Sequence, residues 1–245
     1  MNDFFIWAHR GASAAAPENT MAAFRAAAAA GVDGIELDVH LSRDDVPVVI
    51  HDETVDRTTD GHGRISALPV GQLRQLDAGG WFSPSFAGET VPTLDEVFAW
   101  AADRLRLNVE IKAVPAGLAV IELLRAYPLA RVLISSFDHA LLERLRLLNP
   151  DLPLGFLVDS HFWGRAIRRA VGCRAESVHP RYDLLSRPLM AACRRHGLAV
   201  HCWTVDRPDV CNSLRRLGAA GIFTNDPALI ARHLLRSGGD ATSKI

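Results

Sequence analysis

The sequence predicts an α/β fold, a (β/α)8 TIM barrel with a small insertion after the second barrel strand. Three observations carry this reading. Eight short apolar runs alternate with helical segments along 245 residues, a typical length for such a barrel. One further apolar run, residues 46–50, follows its predecessor too closely for a parallel crossover, so it is a hairpin arm and not a ninth barrel strand. Chemically active residues stand at the C-terminal ends of the runs, where these barrels place their sites. A doubly wound open sheet is the competing architecture, but no G-x-G-x-x-G opens the chain.

Residues 4–8 form the first strand, which ends at His9-Arg10-Gly11. Asn19 or Thr20 caps the helix over 21–30, and Gly31 follows as its C′ residue. In the second strand, 34–41, Glu36, Asp38 and His40 share one face, while Ile35, Leu37 and Val39 share the other. The hairpin arm turns back around 42–45 and ends at His51-Asp52. A two- or four-residue loop pairs Leu41 with Val46 and Glu36 with His51, which sets His51 on the acidic face. Residues 53–92 are irregular and glycine-rich, and form a compact functional insertion. Its aromatics, Trp81, Phe82 and Phe86, make a small core of their own or cover a pocket.

Regular alternation resumes with a helix over 93–103, with Thr93 as N-cap and Glu96 in the capping-box position. Strand and helix then alternate as 107–111 and 116–126, 132–135 and 139–148, 154–158 and 162–170, 175–179 and 187–196, 199–205 and 208–217, 221–224 and 227–235. Residues 1–236 are expected to form one catalytic barrel domain that includes the insertion. The polar residues 237–245 are expected to be a flexible tail.

About half of the residues are hydrophobic (49%), enough for a sizeable core, and the formal net charge of -1 argues against nucleic acid or an anionic membrane as the main partner. No apolar run reaches the length of a membrane span, and the N-terminus lacks the basic region of a signal peptide. Cys173, Cys193, Cys202 and Cys211 fit no zinc spacing and read as buried, reduced thiols. The expectation is a soluble cytoplasmic protein, monomer or homodimer, with a small-molecule substrate and no stable membrane association.

Glu36 and Asp38 lie about 6–7 Å apart on one strand face and repel each other unless a positive group lies between them. Glu110, on the next barrel strand, gives an all-oxygen set with them, suited to one divalent cation, Mg²⁺ or Ca²⁺. The plainer readings are a solvated strand face for Glu36 and Asp38 and a salt bridge to Lys112 for Glu110. Arg10 and Lys112 are cations placed to bind phosphate. His9 and His51 are the natural proton-transfer pair, because imidazole titrates near neutrality. Trp203 forms an apolar pocket wall or packs in the barrel. His40 packs or joins the acidic face, His179 binds substrate or supports the site, and Asp226 is another polar strand end. Ser135 has no histidine or acid near it in sequence and is not read as a nucleophile.

In order along the chain stand His9-Arg10-Gly11, Pro17-Glu18-Asn19-Thr20, Glu36-Leu37-Asp38-Val39, His51-Asp52 and Phe86-Ala87-Gly88-Glu89. Pro92-Thr93-Leu94-Asp95-Glu96-Val97, Glu110-Ile111-Lys112, Ser135-Ser136-Phe137, Trp203-Thr204-Val205 and Gly221-Ile222-Phe223-Thr224-Asn225-Asp226-Pro227 follow. This ordered set resembles the glycerophosphodiester phosphodiesterases over nearly the whole chain. The resemblance implies a barrel with an insertion after its second strand. It also implies hydrolysis of glycerophosphodiesters, such as glycerophosphocholine and glycerophosphoethanolamine, to sn-glycerol 3-phosphate and an alcohol. By motif, His9 and His51 would be the acid–base pair, Glu36, Asp38 and Glu110 the ligands of Mg²⁺ or Ca²⁺, and Arg10 and Lys112 the phosphate binders. The nucleophile is water or a neighbouring glycerol hydroxyl. Two alternatives remain open. One is a phosphodiesterase acting on lysophospholipids, which needs a wide apolar entrance built from residues such as Trp81, Phe82 and Trp203. The other is a phosphate-ester-binding barrel without turnover.

Overall fold

The computed structural model describes residues 4–239. Strand β1 (Phe5–His9) leads through helix α1 (Met21–Ala29) to β2 (Gly34–Leu41) and a hairpin arm, β3 (Pro47–Val49). The insertion contains one short helix, α2 (Val70–Leu73). From there α3 (Leu94–Ala101), β4 (Arg106–Ile111), α4 (Val114–Leu124), β5 (Arg131–Ser136), α5 (His139–Leu148) and β6 (Leu154–Val158) follow. The chain continues with α6 (Trp163–Gly172), β7 (Ser177–Pro180), α7 (Arg187–Arg195), β8 (Ala199–Cys202), α8 (Pro208–Leu217), β9 (Gly221–Thr224) and α9 (Pro227–Gly239). The sheet order is β1-β9-β8-β7-β6-β5-β4-β2-β3, and pairing of β1 with β2 closes an eight-stranded parallel barrel with β3 outside it. Helix α9 runs past the expected end at Leu235; residues 240–245 lie outside the described residues.

The strand alternation reads out as expected. Ile35, Leu37 and Val39 of β2, and Leu107, Val109 and Ile111 of β4, are buried in the core between barrel and helices. Glu36, Asn108 and Glu110 line the pocket at the barrel mouth. Register aligns the acids: His9 is level with Glu36, and Asp38 with Glu110. The expected caps also form. Thr20 Oγ1 accepts from the Ala23 amide, Gly31 adopts a positive φ of 71°, and Thr93 and Glu96 make a reciprocal capping box.

The hairpin register differs from expectation by one residue. Leu41 pairs with Pro47, His40 with Val48 and Val39 with Val49, so Glu36 is not opposite His51. The loop spans 42–46, an odd number, with Asp45 in the left-handed region at φ 61°. A turn ended by a left-handed residue adds one residue and slips the ladder by one. Had the arm continued, that slip would have turned His51 to the opposite face. Instead the strand ends at Val49, and His40 Nε2 lies 3.0 Å from the His51 carbonyl oxygen, holding the departing backbone.

The barrel floor is aromatic. Trp7 stacks on Phe223 with centroids 5.8 Å apart, and His201 meets Trp7 edge-on at 6.1 Å. His179 is fully buried among them, 5.0 Å from Phe223, with Ser177 Oγ 2.7 Å from its Nε2. Of the two expected roles of His179, binding substrate or supporting the site, its packing in the floor agrees with the second. Burial drives its imidazole well below the ordinary range, and that of His201 down to about 3, so both pack as neutral rings. Gly155 makes room, since a Cβ there would sit 2.4 Å from His179 Cε1.

The insertion has its own core of Val48, Ile50, Val55, Ile65, Leu73, Ala78 and Val91. Trp81, Phe82 and Phe86 contact one another edge-to-face, and none of them lines the pocket.

Candidate active site

The pocket at the C-terminal mouth of the barrel is lined by His9, Arg10, Glu36, His51, Glu110 and Lys112 on its polar side, and by Phe137, Leu157, Trp203 and Phe223 on its apolar side. His9, Arg10, Glu110, Lys112, Phe137 and Trp203 stand at or just beyond a strand's C-terminal end, whereas Glu36 and Phe223 lie within their strands. Trp203 is fixed as a wall: its Nε1 donates to the His179 carbonyl oxygen at 2.7 Å, and its ring meets Phe137 edge-on at 5.6 Å.

Oxygens of Glu36, Asp38 and Glu110 come within 4.8 Å of one another, and all three residues are buried. Burial raises the Glu36 carboxyl well above the carboxylate range, and the charges of Asp38 and Glu110 add to this. Burial, then Asp38, pushes Glu110 up to about 7. Burial would raise Asp38 as well, but Lys112 and Arg10 outweigh it and hold Asp38 well below its ordinary value. Lys112 Nζ lies 2.9 Å from Asp38 Oδ1 and 2.5 Å from Glu110 Oε1, so the plainer reading of Glu110, an ion pair with Lys112, is also realised. Arg10 Nε lies 3.3 Å from Asp38 Oδ2. Glu36 Oε1 is buried and has no hydrogen-bond partner among the described residues. An orphaned carboxylate oxygen facing two further carboxylates fits a hard cation, which would satisfy it. The acidic cluster is thus suited to a metal ion.

Backbone strain shapes this corner. Arg10 and Asn19 both have left-handed backbones, at φ 57° and 56°. The bend lets the Arg10 amide donate to Glu36 Oε2 at 2.9 Å, and the Asn19 amide donates to the Arg10 carbonyl at 3.0 Å. Asn19 does not cap the helix. Its Nδ2 donates to Asp38 Oδ2 at 2.8 Å, and its Oδ1 accepts from the Asp38 amide at 3.3 Å.

The two histidines have different partners. Asn225 Nδ2 donates to Asp206 Oδ2 at 2.7 Å, which turns Oδ1 toward His9 Nδ1, 2.8 Å away. An amide oxygen only accepts, so His9 carries its proton on Nδ1 and leaves Nε2 as a lone pair. That Nε2 lies 4.0 Å from Glu36 Oε2. Burial, and then the Arg10 charge, pushes the His9 imidazole down to about 4, so it is neutral at pH 7. His51 Nδ1 instead lies 2.6 Å from Asp52 Oδ1, a contact that fixes the ring and turns Nε2 toward the pocket. Arg57, in the insertion, forks onto Asp52 with Nε to Oδ2 at 2.7 Å and Nη2 to Oδ1 at 3.0 Å.

Sequence reasoning missed Asn19, Asp52, Arg57, Asp206 and Asn225 as parts of the site. Asn19 and Asn225 stand inside conspicuous motifs, and Asp52 adjoins His51. Arg57 lies in an irregular stretch and has no such signal. Ser135 is buried level with Glu110 and does not line the pocket, and Asp226 serves α9 by accepting from the Leu229 amide at 2.9 Å. A wider groove between α5 and α6 is lined by Arg146, Arg165, Arg168 and Arg169; none of the residues that line the mouth pocket faces it.

The sequence profile described as "Glycerophosphoryl diester phosphodiesterase family" matches residues 9–229. The chain is 40% identical over 244 residues to a glycerophosphodiester phosphodiesterase of Caldanaerobacter subterraneus subsp. tengcongensis, covering 96% of this chain and 98% of that one. A glycerophosphodiester phosphodiesterase of Bacillus subtilis is 31% identical, covering 94% and 86% respectively. Among solved structures, an Oleispira antarctica phosphodiesterase in complex with the product sn-glycerol-3-phosphate superposes with a TM-score of 0.87 at 30% identity, covering 94% of this chain and 96% of that one. A glycerophosphodiester phosphodiesterase from Thermotoga maritima superposes with a TM-score of 0.81 at 30% identity, covering 94% and 97%.

Proposed function

Since the chain belongs to the glycerophosphodiester phosphodiesterase family, we propose that it splits small glycerophosphodiesters, such as glycerophosphocholine and glycerophosphoethanolamine, to sn-glycerol 3-phosphate and an alcohol with one bound Mg²⁺ or Ca²⁺. The observation that carries this reading is the convergence of three buried carboxylates, two cations and two differently partnered imidazoles on one pocket. Glu36, Asp38 and Glu110 hold the cation, which when bound supplies positive charge against the phosphoryl oxygens. Arg10 and Lys112 bind the phosphate and neutralise the charge that grows on it.

His9 is the base. Asn225 keeps the Nε2 lone pair free, and burial keeps the ring neutral. It takes a proton from the nucleophile, which is water or the glycerol hydroxyl beside the ester. His51 is the acid. Asp52 holds the ring in place through Nδ1, and Nε2–H gives its proton to the alcohol oxygen as the P–O bond breaks. If water attacks directly, one turnover leaves His9 with the extra proton and His51 without one, and exchange with solvent resets both. If the glycerol hydroxyl attacks, the alcohol leaves a cyclic phosphate, and water then opens it, with His51 taking the proton of water and His9 returning its proton to the ring oxygen that is released. Phe137 and Trp203 wall the apolar side of the bound ester.

The narrow aromatic wall supports small substrates over lysophospholipids, since Trp81 and Phe82 pack within the insertion. A site complete in proton donors and acceptors supports turnover over mere binding. We also place the protein in the cytoplasm, as a monomer or homodimer. Its four cysteines are free and buried, and no helix among the described residues is long and apolar enough to cross a membrane.

One assay tests the reading: glycerophosphocholine and a lysophospholipid as substrates, with and without EDTA. Glycerol 3-phosphate released from the first only, and lost with EDTA, is the expected result. Faster turnover of the lysophospholipid, or turnover indifferent to EDTA, would overturn it. His9→Ala and His51→Ala should each lose about 10²- to 10⁴-fold in kcat while still binding cation; near-normal activity in either removes that histidine from the mechanism.

A further inference from the structure

Arg57 joins the two halves of the polar site. Its guanidinium forks onto Asp52 and onto Glu18, with Nη1 to Oε2 at 3.0 Å and Nη2 to Oε1 at 2.8 Å. Each carboxylate passes the contact on to a group in the pocket. Asp52 Oδ1 receives His51 Nδ1 at 2.6 Å, and Glu18 Oε1 receives Arg10 Nη1 at 2.9 Å. Arg57 comes from the insertion, whereas Glu18 sits in the loop after β1. Among the described residues, the side-chain hydrogen bonds from the insertion to this chain of groups pass through a single planar fork.

An exposed ion pair is worth little by itself, and the Arg57 side chain is 45% exposed. Its geometry is not that of an isolated pair. Two bidentate contacts share one rigid guanidinium, so the position of Asp52 fixes that of Glu18. Lysine cannot do this: one ammonium has no planar fork.

We propose that Arg57 is a positioning residue for the reaction, setting His51 through Asp52 and Arg10 through Glu18. The proposal rests on the reading of His51 as the acid. Without Arg57, two neighbouring carboxylates repel and turn apart. Asp52 then no longer keeps His51 Nε2–H aimed at the leaving oxygen, and Glu18 no longer steadies Arg10 on the phosphate. The first effect falls on kcat and only where the leaving group needs a proton. The second falls on KM whatever the leaving group.

The test compares glycerophosphocholine with a p-nitrophenyl phosphodiester of glycerol, whose phenolate leaves without protonation. Arg57→Ala is expected to lose about 10- to 100-fold in kcat on the choline ester and less than about threefold on the p-nitrophenyl ester, with KM raised on both. Asp52→Asn should reproduce the kcat effect and Glu18→Gln the KM effect. Arg57→Lys should restore at most one of them. His51→Ala on the same two substrates is the control for the underlying reading. If His51→Ala discriminates between the substrates and Arg57→Ala does not, the role of Arg57 is overturned and the acid assignment stands. If His51→Ala fails to discriminate, the acid assignment falls, and the proposal with it. Equal thermal midpoints and equal cation titrations of wild type and Arg57→Ala exclude misfolding as the cause of any loss.

Discussion

Replacing Asn19 separates backbone from side chain in a way the structure makes quantitative. Asn19→Gly keeps a residue at ease at φ 56° but removes both contacts to Asp38. The Nδ2 bond at 2.8 Å goes to a buried, ionised acceptor and is worth about 1.5–3 kcal/mol. The Asp38 amide bond at 3.3 Å is long and adds about 0.5 kcal/mol, the low end for a neutral pair. Asn19→Gly should therefore be destabilised by about 2–3.5 kcal/mol. Asn19→Ala loses the same contacts and also holds a Cβ in the left-handed region, for about 1 kcal/mol more. Urea unfolding of the cation-free protein measures both, with m unchanged if only the folded state is touched. Because Asn19 orients a carboxylate of the metal set, cation affinity should fall about 10- to 100-fold in both variants. An Asn19→Gly protein as stable as wild type, or an Asn19→Ala protein more stable than Asn19→Gly, refutes the reasoning.

Other expectations follow from the same site. Glu110, raised to about 7, and Glu36, raised well above its ordinary value, hold protons in the cation-free fold that a cation must displace. Affinity should therefore climb as pH rises toward about 7 and then level off, and calorimetry at pH 6 in buffers of different ionisation enthalpy should detect proton release; release of none contradicts the raised carboxyls. Glu36→Gln removes a carboxyl whose ionised form burial penalises, so the cation-free variant should unfold at a urea midpoint equal to or above wild type. It should also lack the thermal stabilisation that the wild type gains from cation, about 2.7 kcal/mol at a hundredfold excess over Kd. A lower cation-free midpoint, or a retained shift, counts against the placement of Glu36. Gly155→Ala drives a methyl to 2.4 Å from His179 Cε1 and should cost about 1–3 kcal/mol in denaturant unfolding; no loss would mean that the barrel floor is loosely packed.

Much of this molecule was legible from residue order. Strand alternation separated Leu37 from Glu36 and Asp38, and Val109 and Ile111 from Glu110, because a pleat has only two faces. The three converging carboxylates and the two histidines of the pocket could therefore be named without coordinates. The hairpin register could not, since it turns on whether Asp45 adopts a left-handed backbone, a local choice of small energy. His179 at a strand end looked like His9 at a strand end. They differ in depth along the barrel axis, which depends on how strands stagger across the whole sheet. Arg57 was invisible for another reason. Its partners Glu18 and Asp52 meet only after the insertion has folded back over the mouth, and nothing periodic marks that path.

The bond between His9 and Asn225 spans 216 residues, joining nearly the first described strand end to the last. During synthesis the ribosome emits His9 216 residues ahead of Asn225, at about 5–20 residues per second. A nascent chain carries its carboxylates, its cations and both imidazoles well before the partner that fixes the tautomer of His9 has emerged. Catalytic competence therefore waits until β9 has emerged and inserted between β1 and β8. Fragments cut short before that strand should be silent, whatever fraction of the site they contain.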